Sequence, residues 1–275
     1  MKALLHRTIP ATGEQIPALG IGTYRAYDIE HTNPRWTAAA TCVADFVAAG
    51  GAVIDCSPMY GRAETAIGEL ATEFRPRLFV ASKVWCTGRA AGHKQIETSF
   101  QRLRSERLDL MQVHNLLDVD VHQETLSDLK RQGRIRYVGV THYHAGAHVH
   151  LEQVLRAGRY DFVQVNYSLG ELEAETRLLP CAQDLGTAVI ANRPFMQEAL
   201  LRRLHHRPLP PGAAELGCVT WAQALLKFVL AHPAVTCVIP ATGNPQHLAE
   251  LIAAACGPLP DANLCARWRV AIRDW

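Results

Sequence analysis

The chain has 275 residues, of which 48% are hydrophobic and 20% charged, with a formal net charge of +2; this composition is ordinary for a soluble chain that buries a large core. Near-neutral charge without a long Lys/Arg run gives no footing for a nucleic-acid or membrane-surface partner, and no apolar stretch reaches the roughly 18 residues a transmembrane helix needs. His6 and Arg7 interrupt the first apolar residues, so no secretory leader is expected.

In chain order, the turn residues Thr12-Gly13-Glu14 between two apolar pieces predict an N-terminal β-hairpin. Short apolar runs of strand character follow at 18–22, 52–55, 78–83, 108–114, 135–140, 162–166, 188–192 and 235–240. Segments with helical periodicity fall between and after them, at 34–49, 63–71, 93–104, 123–132, 148–157, 171–184, 220–231 and 245–255. Parallel strands need crossover connections, so this alternation predicts β/α units, either closed into a barrel or left as an open doubly wound sheet. Eight units without residues for a second domain, and no Gly-rich dinucleotide turn after the first strand, favour closure. The expected fold class is α/β: a (β/α)8 TIM barrel with an N-terminal β-hairpin, as a single domain over residues 1–275. The loop after the seventh strand and the tail after Ala255 read as short excursions.

In such a barrel the carboxyl ends of the strands carry the chemistry. Asp55, Lys83 and His114 each close an apolar run at that end, and Tyr60 follows Asp55 in a loop shaped by Pro58 and Gly61. A phenol is a weak acid near neutral pH unless its anion is stabilised, and an adjacent Lys83 is expected to lower its pKa. Asp55 supplies the counter-charge that a lysine in this place requires. His114 then polarises a carbonyl oxygen while Tyr60 protonates it and hydride arrives at carbon. Alternatives are a structural Asp–Lys pair with packed neighbours, and a lyase using Lys83 as a Schiff-base nucleophile.

These residues lie in longer motifs: Ile54-Asp55-Cys56-Ser57-Pro58-Met59-Tyr60-Gly61 with Glu64, Ala81-Ser82-Lys83-Val84-Trp85, Leu108-Asp109-Leu110-Met111-Gln112-Val113-His114-Asn115, and Gly133-Arg134-Ile135-Arg136-Tyr137-Val138-Gly139-Val140. With Leu19-Gly20-Ile21-Gly22-Thr23-Tyr24, Val163-Gln164-Val165-Asn166-Tyr167 and Val238-Ile239-Pro240-Ala241-Thr242, the chain resembles the aldo-keto reductase family nearly end to end. The resemblance implies NAD(P)H-dependent reduction of aldehydes or ketones, with Asp55, Tyr60, Lys83 and His114 as the catalytic tetrad. It implies a nicotinamide cofactor along the rim, contacted by Gly22, Thr23, Tyr24, Asp55, Thr141, His142, Gln164, Thr242, His247 and Glu250, and by the Asn192-Arg193-Pro194-Phe195 run. Tyr24, Trp85 and His114 are expected to line the pocket of a small carbonyl substrate.

The departures lie on the cofactor side. His142 replaces a usual Asn, Asn192 stands where an aromatic often stacks on the nicotinamide, and Ala241 and His247 replace basic residues of the 2′-phosphate clamp. A neutral imidazole is a weaker phosphate partner than a guanidinium, so NADPH is favoured with NADH as competitor. Arg202, Arg203, His205, His206 and Arg207 read as a solvated basic patch, with a pyrophosphate contact as the other reading. No metal site is expected from His142, His144, His148 and His150, which fall on different faces. The eight cysteines form no CxxC pair and read as reduced thiols of a cytoplasmic protein, with Cys56, beside Asp55, the thiol to test for oxidation. A monomer is expected; the other reading of the whole chain is a cofactor-binding regulatory or sensor subunit with little turnover.

Overall fold

The computed structural model describes residues 3–273; Met1, Lys2, Asp274 and Trp275, at the limits of the expected 1–275 domain, lie outside the described residues. β1 (His6–Thr8) and β2 (Gln15–Pro17) pair antiparallel as the expected hairpin, with Arg7 opposite Ile16. Eight further strands follow: β3 (Gly20–Gly22), β4 (Val53–Asp55), β5 (Phe79–Val84), β6 (Leu108–His114), β7 (Ile135–His142), β8 (Phe162–Asn166), β9 (Ala188–Asn192) and β10 (Val235–Val238). They form one parallel sheet in chain order. The sheet closes between its first and last strands: Gly22 N donates to Pro240 O at 2.9 Å and Val238 N to Ala18 O at 2.8 Å. The fold is therefore the α/β barrel.

Helices α1 (Trp36–Ala48), α2 (Ala63–Leu70), α3 (Arg89–Arg102), α4 (Val119–Arg131), α5 (His148–Ala157), α6 (Leu178–Leu185), α7 (Ala199–Leu204), α8 (Trp221–Ala231), α9 (Pro245–Ala254) and α10 (Ala262–Ala271) complete the described elements. Four ends differ from expectation for local reasons. α3 begins right after Gly88, whose φ of +87° suits glycine, and α4 right after Asp118 at +50°. The helix expected over 171–184 splits into a 3-10 turn (Glu173–Thr176) and α6. Pro180 is tolerated only in a first helical turn, which forces α6 to start just before it. The tail after Ala255 is more than a brief excursion, because α10 seats Trp268 at full burial, with the indole N–H donating to Pro211 O at 2.8 Å. α10 lacks a clean apolar stripe; its Asp261 N-cap accepts from Leu264 N at 2.7 Å, and Trp268 anchors it to the barrel.

Side chains alternate across a strand, so every second residue points into the barrel. Along β4 the inward row reads Val53, Asp55; along β5 Phe79, Ala81, Lys83; along β6 Leu110, Gln112, His114; along β8 Phe162, Gln164, Asn166. Each row starts apolar and ends polar. The lower layers form an interior core of Val53, Phe79, Ala81, Leu110, Tyr137, Phe162, Ala188, Ile190, Cys237 and Ile239, into which the hairpin inserts Ile9 and Ile16. The hairpin is fastened there by polar bonds. Tyr137 Oη donates to Glu14 Oε2 at 2.5 Å, Arg136 pairs with Glu14, and Arg136 Nη1 donates to Asp109 Oδ1 at 3.0 Å. A larger apolar shell between strands and helices surrounds the barrel. The amino end is thus plugged by apolar side chains, and polar groups gather at the carboxyl end.

Closure leaves no room at the seam. A Cβ at Gly22 would lie 2.8 Å from Ile239 O, a contact that forces backbone apart. Gly22→Ala is expected to destabilise the fold by about 1–3 kcal/mol, read as a lower urea midpoint. An unchanged midpoint would mean that the seam has slack that the packing does not show.

Candidate active site

The strand ends bring Asp55, Tyr60, Lys83 and His114 together. Lys83, 1% exposed, donates from Nζ to Asp55 Oδ2 at 2.6 Å and to Cys56 O at 2.7 Å, and lies 5.1 Å from the centre of the Tyr60 ring. The Tyr60 ring meets that of His114 edge-on at 6.3 Å and that of Tyr24 at 5.1 Å. His114 Nδ1 is 3.2 Å from Ser57 Oγ. Trp85 faces His114 at 6.5 Å, so an aromatic wall of Tyr24, Tyr60 and Trp85 borders the cluster, with Tyr24 and Trp85 open to solvent.

Burial sets the electrostatics. It opposes charge on Lys83, yet Asp55 and Tyr60 outweigh it, and the Lys83 pKa lies above the ordinary lysine value. Lys83 is therefore an ammonium. Burial raises the Tyr60 phenol above its usual value, with Lys83 opposing. This corrects the expectation of a lowered pKa: around the resting phenol the desolvation of a tyrosinate outweighs the nearby cation. His114 is pushed down to about 3, first by burial and then by Lys83 and His142, so its ring is neutral. Burial raises the Cys56 thiol as well and keeps it from forming the reactive thiolate.

Other side chains place the loops that carry these groups. Thr23 Oγ1 donates to Asp55 O at 2.9 Å, tying the end of β3 to β4. Asp28 Oδ1 accepts from Arg62 N at 2.9 Å and lies over Gly61, where a Cβ would be 2.2 Å from it, so Asp28 holds the segment just after Tyr60. Gln95 grips the Trp85 backbone twice, accepting from its N–H at 2.6 Å and donating to its carbonyl at 3.2 Å, and His122 donates to Cys86 O at 2.6 Å. Asp55 accepts two further bonds, from Gln112 Nε2 at 3.2 Å and Gln164 Nε2 at 3.3 Å. Of these residues Asp28, Ser57, Gln95, Gln112 and His122 are new to the site. Period two from His114 marks Gln112 in the sequence, and Ser57 lies between Asp55 and Tyr60; Asp28, Gln95 and His122 are brought in only by tertiary packing.

The residues expected to meet a cofactor spread from β3 to α9. Thr141 and Gln164 are buried, and His142, half-buried at the end of β7, stacks on Tyr143. Gln164 Oε1, Asn166 Oδ1 and Asn192 Oδ1 are buried at the ends of β8 and β9 with no hydrogen-bond partner among the described residues. Buried carbonyl oxygens of this kind call for a donor, and an amide such as the nicotinamide carboxamide fits them. Arg193 lies over the Tyr143 ring at 5.2 Å, while Phe195 packs against the outer apolar shell. Arg193, Met196, Gln197 and Glu198 all have positive φ, from +50° to +73°, so backbone strain is concentrated in this loop. Thr242 Oγ1 accepts from Asn244 N at 3.1 Å, Asn244 caps α9, and His247 is exposed in the first turn of that helix. Two expected contacts are already engaged within the fold: Gly22 forms the seam, and Glu250 Oε2 accepts from Thr220 Oγ1 at 2.9 Å.

A family model described as Aldo/keto reductase family matches residues 18–266. Methylglyoxal reductase YeaE of Escherichia coli K12 is 31% identical over 243 residues, covering 86% of this chain and 84% of that protein. An aldo/keto reductase of Klebsiella pneumoniae, solved with NADP and acetate, superposes with a TM-score of 0.82 at 27% identity over 96% of this chain and 94% of the other. An aldo-keto reductase of the same organism, solved with NADPH, gives 0.81 at 26% identity over 98% and 95%.

The His114 environment has a direct spectroscopic consequence. With a pKa near 3 in the folded chain against an ordinary 6.5, its ring nitrogens are expected to show no titration in 15N NMR between about pH 5 and pH 8. The sign for stability follows. The unfolded chain takes up this proton and the folded one does not, so the stability tied to His114 is complete above about 6.5 and is lost as pH falls toward 3. A midpoint near 6.5 in the folded protein would contradict the buried placement.

Proposed function

This chain belongs to the Aldo/keto reductase family, and on that premise we propose that it reduces an aldehyde or ketone to the alcohol with NADPH, Tyr60 giving the proton. The observation that carries this reading is a neutral phenol 5.1 Å from a buried ammonium that is itself held by a carboxylate. NADPH, when bound, supplies the hydride. The chain's own residues do the remaining work. With Ser57 donating to His114 Nδ1, the neutral ring presents Nε2–H as a donor to the carbonyl oxygen. As negative charge builds on that oxygen, the Tyr60 O–H gives up its proton, and the tyrosinate left behind is stabilised by Lys83. The raised phenol pKa suits this role, because the acid form is fully populated before reaction. The ammonium state of Lys83 speaks against a Schiff-base lyase, which needs the free amine.

Gly22, Thr23, Tyr24, Thr141, His142, Gln164, the Asn192–Phe195 run, Thr242, His247 and Glu250 make up the cofactor side of this reading. The unpartnered oxygens of Gln164, Asn166 and Asn192 support an amide there. Exposed His247 at the α9 N-terminus is the weak phosphate partner, which keeps NADH in competition. Tyr24, Trp85 and His114 border the substrate. The names of the relatives, a methylglyoxal reductase among them, fit a small reactive carbonyl. The reading is of one domain acting as a monomer in the cytoplasm, with no nucleic-acid or membrane partner. Eight free thiols and near-neutral charge support that setting, and no described helix is long and apolar enough to cross a membrane.

Titration with NADPH and with NADH, followed by tryptophan quenching, and then addition of a reactive aldehyde tests the reading. Cofactor oxidation is expected, reduced by about 10²-fold or more in Tyr60→Phe while cofactor affinity stays. Binding without oxidation across a carbonyl panel would favour the sensor subunit, and no binding at all would defeat the reductase. His247→Arg is expected to tighten NADPH by about tenfold and leave NADH nearly unchanged; equal effects on both would remove His247 from the phosphate site.

A further inference from the structure

Asp55 is held from three directions, and the three donors are not alike. Oδ2 accepts from Lys83 at 2.6 Å and from Gln164 at 3.3 Å. Oδ1 accepts from Gln112 at 3.2 Å, and no other side-chain donor reaches it among the described residues. Gln112 is fully buried, inside a barrel whose layer below it is apolar. Its own Oε1 has no partner, so the amide is an unfavourable group to bury on any ground other than the bond that it donates. The neighbouring strand makes way for it. Gly139 is its register partner on β7, and a Cβ there would lie 2.9 Å from Gln112 Cγ. Two strands thus accommodate one amide whose N–H meets the carboxylate that holds Lys83.

We propose that Gln112 is a positioning residue for the reduction: it satisfies Asp55 Oδ1, keeps that carboxylate ionised beside Lys83, and so maintains the cation that stabilises the Tyr60 anion. The inference rests on the reductase reading above and adds to it a residue outside the four at the strand ends. The titratable groups that face Asp55 are Lys83 from β5, Tyr60 and Cys56 from the β4 end, and Cys237 from β10; His114 from β6 faces Lys83. Lys83 is the one cation among them that stays charged at neutral pH. Without the amide, Oδ1 is a buried lone-pair site with no donor, which favours protonation of Asp55 and weakens its hold on Lys83.

The test uses the full chain with two replacements of similar size, Gln112→Leu and Gln112→Glu, and follows kcat/KM for NADPH-dependent aldehyde reduction from about pH 5 to about pH 9. In Gln112→Leu the acid limb is expected to move toward neutrality by about one pH unit, the size of one lost charge-assisted hydrogen bond, with NADPH affinity unchanged. Gln112→Glu has a distinct signature. At the acid end the new carboxyl carries a proton and donates it to Asp55, so activity approaches wild type; as pH rises, two carboxylates share the site and activity falls by about tenfold or more. A purely structural role would lower activity at every pH alike. Both variants tracking the wild-type profile would overturn the proposal, and the near-isosteric Gln112→Glu carries the test if Gln112→Leu does not fold. Should the wild type reduce no carbonyl at all, the reductase reading fails by itself. The Lys83 side-chain ammonium 15N resonance still decides the inference: it is expected to shift or broaden in Gln112→Leu if Gln112 holds Asp55 against Lys83, and an unchanged resonance overturns it.

Discussion

A lysine ammonium enclosed in a closed barrel is the constraint on which the rest of the mouth depends. A buried cation must be paired and its N–H groups occupied, or it gives up its proton. Here Asp55 Oδ2 and Cys56 O occupy Lys83 at 2.6 and 2.7 Å, and the two strands that carry the pair are direct neighbours in the sheet. The carboxylate in turn needs donors, which come from β6 and β8 as Gln112 and Gln164. The backbone beside it is tied by Thr23 from β3. Five strands therefore converge on one charge pair, and its field, with burial, decides the states of Tyr60 and His114.

The two ends of the barrel solve opposite problems. At the amino end, Ile9 and Ile16 of the hairpin complete the apolar interior, and Glu14 and Asp109 meet Arg136 around the rim. That interior layer is built of apolar side chains and Tyr137 among the described residues. At the carboxyl end, buried amide oxygens of Gln164, Asn166 and Asn192 go without partners, and the loop after β9 holds several non-glycine residues at positive φ. Unsatisfied polarity and strain of this kind are unfavourable for folding and gather at functional sites in proteins generally. A packed lower barrel with an unfinished upper rim accommodates both requirements.

The loops around Trp85 and Tyr60 are tied down by comparison. Trp85 is exposed, yet its backbone is clamped by Gln95 and the next carbonyl by His122. The Tyr60 loop is fixed by Asp28 over Gly61. An aromatic wall on tied backbone borders Tyr60 and His114, and a ligand that meets it there orders no flexible loop on binding, which limits the entropic cost.

The alternation of apolar runs with helical periodicity determined eight β/α units, and Asp55, Lys83 and His114 at the run ends, with Tyr60 just after, marked the end where polar groups gather, because strand period and barrel polarity are local and general rules. Gln112 was legible by the same rule, two residues from His114 on one strand. What tertiary structure decided was of another kind. Asp28, Gln95 and His122 reach the site from distant segments, and no spacing announces them. α10, capped by Asp261 but without an apolar stripe, is seated by the burial of Trp268, whose indole donates to the Pro211 carbonyl. The direction of the Tyr60 pKa also lay beyond the sequence. A nearby lysine predicts a lowered value, and only the packed structure weighs that cation against the desolvation of the phenolate; here desolvation is the larger effect.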